Sequence, residues 1–97
     1  MELKGRTALV TGAGTRVGRV IALALGRAGM RVAVHYARSE KGARETAEEI
    51  VRGGSDARTL PGDLIDPTTG PRLIEHPVKV FGSLDGLAFH PRFEANR

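Results

Sequence analysis

Apolar residues in this chain fall in short blocks of two alternating kinds, and the alternation predicts a repeating order of strand and helix. Residues 6–11 form a short apolar run ending on a glycine-rich stretch, as expected of a strand buried on both faces. From Arg16 to Ala28 the spacing becomes helical. Val17, Val20, Ile21, Ala24, Leu25 and Ala28 are the expected buried stripe, and Gly29 the stop. Met30–Tyr36 predicts a second strand. A second helix is expected from Ser39 or Glu40 to Arg52, burying Ala43, Ala47, Ile50 and Val51 before Gly53-Gly54. Ala57–Pro61 predicts a third strand, followed by Gly62-Asp63-Leu64.

Strands and helices at this regular spacing imply a parallel sheet with right-handed crossovers. Beyond Asp66 the pattern weakens. Asp66-Pro67 suits the start of a third helix. Gly70-Pro71 interrupts its first turns, however, and Pro77 falls where an interior proline costs about 3 kcal/mol. The expectation is a broken or shortened helix, around Arg72–Glu75 and Val78–Phe81. Ser83–Phe89 predicts a fourth strand, and residues 90–97 show no periodicity.

The junction of first strand and first helix carries the chemistry. Thr11-Gly12-Ala13-Gly14-Thr15-Arg16-Val17-Gly18 places glycines between a buried strand and a helix start. A dinucleotide pyrophosphate needs this order: glycines let the backbone approach the phosphates, and the helix N-terminus offers unpaired N–H groups and a positive dipole end. Gly12 suits the tight turn, Gly14 an approach to the phosphates, and Gly18 close helix–sheet contact. Thr15 is placed to donate to a phosphate or to cap the helix.

Composition narrows the partners. With 97 residues the chain suggests one small domain, and no stretch reaches membrane-spanning length. There is no cysteine, which excludes disulfides and thiolate chemistry, and the N-terminus lacks the pattern of a secretion signal. Cytoplasmic residence is the simplest expectation. The net charge is +4, but the arginines are spread without a dense block or interleaved aromatics, so a nucleic-acid binder is the weaker reading. His35, His76 and His90 have no metal-site spacing. Glu45, Glu48 and Glu49 are expected on the solvated face of the second helix.

Several motifs together resemble the N-terminal part of the short-chain dehydrogenase/reductase family. Thr11-Gly12-x-x-x-Arg16-x-Gly18 is similar to the family's Thr-Gly-x-x-x-Gly-x-Gly turn, with Arg16 in place of the middle glycine, as in its pteridine-reductase-like branch. His35-Tyr36-Ala37-Arg38-Ser39 resembles NADP-dependent 3-oxoacyl-acyl-carrier-protein reductases. Asp63-Leu64 resembles the pair that contacts adenine, and Phe81-Gly82-x-Leu84-Asp85-x-Leu87 the lead-in to the fourth strand. Phe89-His90-Pro91-Arg92 stands where the family has Asn-Asn-Ala-Gly, and the catalytic Ser and Tyr-x-x-x-Lys pair are absent. Tyr36 and Lys41 are one residue too far apart to be that pair.

The resemblance implies an α/β fold: a partial Rossmann domain over residues 1–89, with a parallel sheet of about four strands in the order 3-2-1-4, flanking helices, and an irregular tail over 90–97. The implied cofactor contacts are Gly12, Gly14, Thr15, Arg16, Val17 and Gly18 in the turn, His35, Tyr36, Arg38 and Ser39 after the second strand, and Asp63 and Leu64 after the third. Residues 35–39 hold no acid to accept from a ribose 2′-hydroxyl, whereas Arg16 and Arg38 suit a 2′-phosphate, so NADP is expected over NAD. The expected activity is NADP(H) binding by a truncated reductase without independent hydride transfer. The alternative is a nucleotide-binding module in a homo-oligomer, or with a partner protein that covers the incomplete sheet.

Overall fold

The computed structural model describes residues 2–14 and 16–88. Expectations for Thr15, Phe89 and residues 90–97 lie outside them. In chain order the elements are β1 (Thr7–Val10), α1 (Arg16–Arg27), β2 (Arg31–Tyr36), α2 (Glu40–Arg52), β3 (Ala57–Pro61), α3 (Thr69–Phe81) and β4 (Gly86–Ala88). The strands form one parallel sheet ordered β3-β2-β1-β4. Tyr36 lies beside Pro61, so β2 and β3 end level, and β1 ends two residues earlier, with Val10 beside Val34.

Successive strand residues point to opposite faces and build two cores. Val10, Val32, Val34 and Ala57 pack with Ala22 of α1 and with Ala43, Ala47 and Ile50 of α2. Leu9, Ala33 and Leu60 pack with Leu73 and Phe81 of α3 on the other face. The chain runs to β2 on one side of β1 and to β4 on the other. Such a reversal opens a crevice at the strands' C-terminal ends.

The expectation of a parallel sheet of about four strands in the order 3-2-1-4 needs correction at its fourth member. The body of the sheet is the parallel trio β3-β2-β1, and β4 opens at Gly86 rather than at the expected Ser83, pairing with β1 over Gly86–Ala88 among the described residues. The lead-in is spent elsewhere: the Asp85 carboxylate accepts from the Thr7 N–H at 2.9 Å, and the Asp85 N–H donates to the Thr7 carbonyl at 2.8 Å.

The third helix differs the other way, being continuous over Thr69–Phe81. Pro71 lies in the first turn, where its missing N–H would have had no helical partner. Pro77 leaves the Leu73 carbonyl without its usual donor, but its ring is fully buried, which offsets part of that loss. The helix begins after Thr68 rather than at Pro67. The Asp66 carboxylate accepts from the Thr68 N–H at 2.9 Å and from its hydroxyl at 2.8 Å, closing a turn just before the helix. Those bonds hold the Asp66 carboxyl below its ordinary pKa.

The buried stripe of α1 is also not the expected one. Gly18, Ala22 and Gly26 are buried, whereas Val17 and Val20 are 53% and 65% exposed. Close approach decides this: a Cβ on Gly26 would lie 2.9 Å from Cγ2 of Ile50 on α2. Larger residues turn outward, and Ile21 and Leu25 pack only at the flank. Likewise α2 buries Ala43, Thr46, Ala47 and Ile50 and leaves Val51 exposed.

Candidate cofactor site

The chain leaves β1 through buried Thr11 and turns at Gly12, whose φ of +65° favours glycine. The Gly12 N–H donates to Nδ1 of His35 at 3.1 Å, and the Ala13 N–H donates to the His35 carbonyl at 2.8 Å. Both amides therefore point into the fold. Those left to face a ligand open α1, at Arg16, Val17 and Gly18, where no carbonyl lies a full turn earlier in the helix. A Cβ on Gly18 would run into the Gly12 carbonyl, so α1 starts directly against the turn.

Gly14 also has a packing role. A Cβ there would lie 2.7 Å from the Ser39 carbonyl oxygen and 2.9 Å from Ser39 Cβ, so the contact that excludes a side chain is with the start of α2. Gly42 reciprocates, because a Cβ on it would meet the Gly14 carbonyl. The Thr46 hydroxyl, 3.1 Å from the Ala13 carbonyl and 2.8 Å from that of Gly42, has one proton to give to either. Its oxygen accepts from Arg19, which also pairs with Glu49 at 2.9 Å. Sequence reading missed Gly42, Thr46 and Arg19. A glycine early in a helix and a lone hydroxyl in its buried stripe were the available signals.

The remaining candidates gather at the same end of the sheet. Tyr36 is half-buried against the α1–α2 core, and its carbonyl accepts from the Gly62 N–H at 3.0 Å. Arg38 is exposed, and Ser39 holds the N-cap position of α2 without a capping side-chain bond. Asp63 is exposed, one carboxylate oxygen accepting from the Ile65 N–H at 3.0 Å, while Leu64 packs beside the α3 core. Arg16 is exposed with φ of +30°, a strained value for a residue with a side chain. Among the described residues neither Arg16 nor Arg38 forms an ion pair.

His35 is 1% exposed and lies within the protein rather than on an open pocket wall. Its Nε2 is 2.8 Å from the Gly62 carbonyl. With Nδ1 accepting from Gly12, Nε2 carries the proton and donates, which fixes a neutral imidazole. Burial pushes its pKa below the usual histidine value, and the bond to Gly62 opposes that shift only in part.

A parallel α/β sheet with a glycine turn and helix start at its C-terminal crevice is a nucleotide-binding fold of the Rossmann kind. The chain belongs to the short chain dehydrogenase family, whose model matches residues 6–89. It is 45% identical over 84 residues to versicolorin reductase stcU of Emericella nidulans, covering 87% of this chain and 32% of that protein. Tetrahydroxynaphthalene reductase of Pyricularia oryzae is 43% identical over 84 residues, or 87% of this chain and 30% of that one. Among solved structures, angucycline C-6 ketoreductase LanV with bound NADP superposes with a TM-score of 0.79 at 42% identity, covering 89% of this chain and 36% of that chain. Hydroxysteroid dehydrogenase from Escherichia coli gives a TM-score of 0.84 at 27% identity, over 91% of this chain and 37% of that chain. The chain therefore spans about a third of the length of the curated relatives it matches.

Among the described residues no helix is long and apolar enough to cross a membrane, and no cluster of His, Cys, Asp or Glu could hold a metal ion.

Proposed function

We propose that the turn and the loops after β2 and β3 hold NADP(H), as the cofactor-binding part of a reductase. The observation that carries this reading is the pair of exposed arginines, Arg16 at the amides that open α1 and Arg38 in the loop after β2, neither in an ion pair among the described residues. The amides suit the pyrophosphate, and the guanidinium groups suit the 2′-phosphate that distinguishes NADP from NAD. Ser39 is placed to add a hydroxyl donor, and Leu64 an apolar surface for adenine. The NADP bound to LanV supports the same choice. Arginine at position 16 supports a place in the pteridine-reductase-like branch.

NADP(H), when bound, supplies or accepts a hydride. The 97 residues contain no Tyr-x-x-x-Lys pair, and we assign them cofactor holding without proton transfer. The similarity lies in the cofactor half, so the cofactor and not the relatives' substrates is extended to this chain. Val17 and Val20 on α1 and Ile74 and Val78 on α3 are exposed apolar residues, which favours a cofactor-holding unit working within a larger assembly.

The test is titration of the purified protein with NADPH and NADH, followed by calorimetry and by nicotinamide fluorescence. Saturable binding is expected, with NADPH favoured by roughly tenfold or more, and Arg38→Ala should remove most of the preference. Absence of saturable NADPH binding, or equal affinity for the two dinucleotides, overturns the reading.

A further inference from the structure

The imidazole of His35 is the only side chain among the described hydrogen bonds that reaches both the glycine turn and the loop leaving β3. Ala33, two residues earlier, belongs to the core under α3, so His35 projects toward the same face of the sheet. There it spans from the Gly12 amide, at 3.1 Å, to the Gly62 carbonyl, at 2.8 Å. The backbone doubles each link. Ala13 donates to the His35 carbonyl at 2.8 Å, and Gly62 donates to the Tyr36 carbonyl at 3.0 Å. A pyrophosphate at the start of α1 and an adenine beside Asp63-Leu64 would thus sit on two loops that both hang on the end of β2 and that one ring joins directly. Gly12 must keep φ of +65° for the turn to deliver α1, and its own N–H is held only as long as Nδ1 carries no proton.

We propose that His35 is a positioning residue for the cofactor: its neutral imidazole fixes the glycine turn relative to the β3 exit loop, and protonating it releases the turn and weakens dinucleotide binding. This rests on the reading that the turn holds NADP(H). The chemistry is one-directional. A second proton has only Nδ1 to occupy, and an N–H there faces the Gly12 N–H, so an accepted bond becomes a contact between two donors.

The charged groups on the surrounding elements are Arg16 at the start of α1, Arg31 at the start of β2, Arg38 in the loop after it, and Arg58 on β3. Asp63 and Asp66 lie in the following loop, and Arg72 and Glu75 on α3. Arg72 lies near the bridge, its Nη2 3.3 Å from where a Cβ on Gly62 would be. None of these charges contributes to the lowered pKa of the imidazole. Burial lowers it, and the Gly62 bond partly restores it. A group whose folded pKa lies below its unfolded value contributes fully above the unfolded value, near 6.5, and loses that contribution as pH falls through the folded one.

The experiment follows the His35 ring nitrogens and the Gly12 amide by NMR in the cofactor-free protein from about pH 7.5 to about pH 4.5, spanning the ordinary histidine pKa. NADPH affinity is measured over the same range for wild type, His35→Asn and His35→Leu. Asparagine can place an oxygen near the Nδ1 position but does not titrate there. Expected are a neutral Nε2–H tautomer at pH 7.5, a Gly12 amide shift that moves with imidazole protonation, and NADPH affinity falling at least about tenfold across that titration. His35→Asn should bind NADPH near the wild-type level at pH 7.5 and lack that acid-side loss beyond the part common to both proteins, which belongs to the 2′-phosphate. His35→Leu should bind weakly at every pH. An imidazole titrating at or above its ordinary value, a Gly12 amide indifferent to it, or matching NADPH–pH profiles for wild type and His35→Asn overturns the proposal. If Gly12 follows the ring while no NADPH binds at any pH, the NADP(H) reading fails and the bridge stands as a purely structural device.

Discussion

On the face covered by α1 and α2, helices meet each other and the glycine turn through residues with little or no side chain. On the face covered by α3, a single helix rests on a few large ones. Gly14 against Ser39, Gly18 against Gly12, Gly26 against Ile50 and Gly42 against Gly14 leave no room for even a methyl group. The other face has Leu9, Leu60, Leu73 and Phe81, no such contact at Gly70, and its tight approach at Gly62 is to a side-chain methyl, Cγ2 of Thr69. Large side chains can shift among rotamers, whereas backbone against backbone cannot yield without moving an element. The fold is therefore stiffest where three strand ends and two helix starts meet, which is where the candidate site lies.

Two helical glycines make the difference measurable. Gly42→Ala on α2 should lower the unfolding free energy by about 2 kcal/mol, because the added methyl meets the Gly14 carbonyl. Gly70→Ala on α3 meets no other element within 4 Å, so the entropy of the unfolded chain favours alanine while the ring of Pro71, next in the chain, crowds a helical side chain before it. Its change in stability should therefore stay within about 1 kcal/mol. Urea unfolding of both variants provides the check. A loss at Gly70 as large as that at Gly42 would remove the contrast between the faces.

The same contrast explains what could be read from the sequence. The order of elements on the α1–α2 side was legible, and β3 falls on Ala57–Pro61 as expected, because strand and helix periods and glycine stops are local signals. Which stripe of α1 is buried was not legible. A hydropathy pattern favours Val17 and Val20, but the approach of Ile50 selects Gly18, Ala22 and Gly26. Pro77 looked like a helix breaker because propensity weighs the lost hydrogen bond, whereas burial of its ring is a tertiary effect. At the candidate site, Gly12 and Arg16 announce themselves in the turn. The His35 link to Gly62 does not, since it joins residues 27 apart in the chain.

Arg16 tests whether strain on the stiff side serves the ligand. It holds φ of +30° where a side chain is disfavoured, and Arg16→Gly should raise stability by about 1 kcal/mol. If the guanidinium meets the 2′-phosphate, the same variant should lose NADPH affinity while NADH affinity changes little. Opposite movements of melting temperature and NADPH affinity are the expected outcome. A variant neither more stable nor weaker for NADPH would show that Arg16 is an ordinary surface residue.

The smallest effect belongs to the loose side, where β4 is tied to β1 by an exposed carboxylate. Asp85 accepts from the Thr7 N–H and the Ser83 hydroxyl, with Arg6 3.8 Å away. The Thr7 bond is the main cause that lowers its pKa from the ordinary 3.8. A carboxyl with a depressed folded pKa contributes stability above its unfolded pKa and loses it as pH falls through the folded one. Thermal unfolding of wild type and Asp85→Asn from about pH 6 down to about pH 2.5 should therefore show a gap that is constant at the upper end. As acid protonates Asp85 in the wild type, the gap should close. Asp66, held low by its own bonds to Thr68, is present in both proteins and cancels in the difference. A gap that persists undiminished at the acid end would mean that β4 is held by its three-residue ladder and not by the carboxylate, leaving the two faces less different at their edge than the contacts imply.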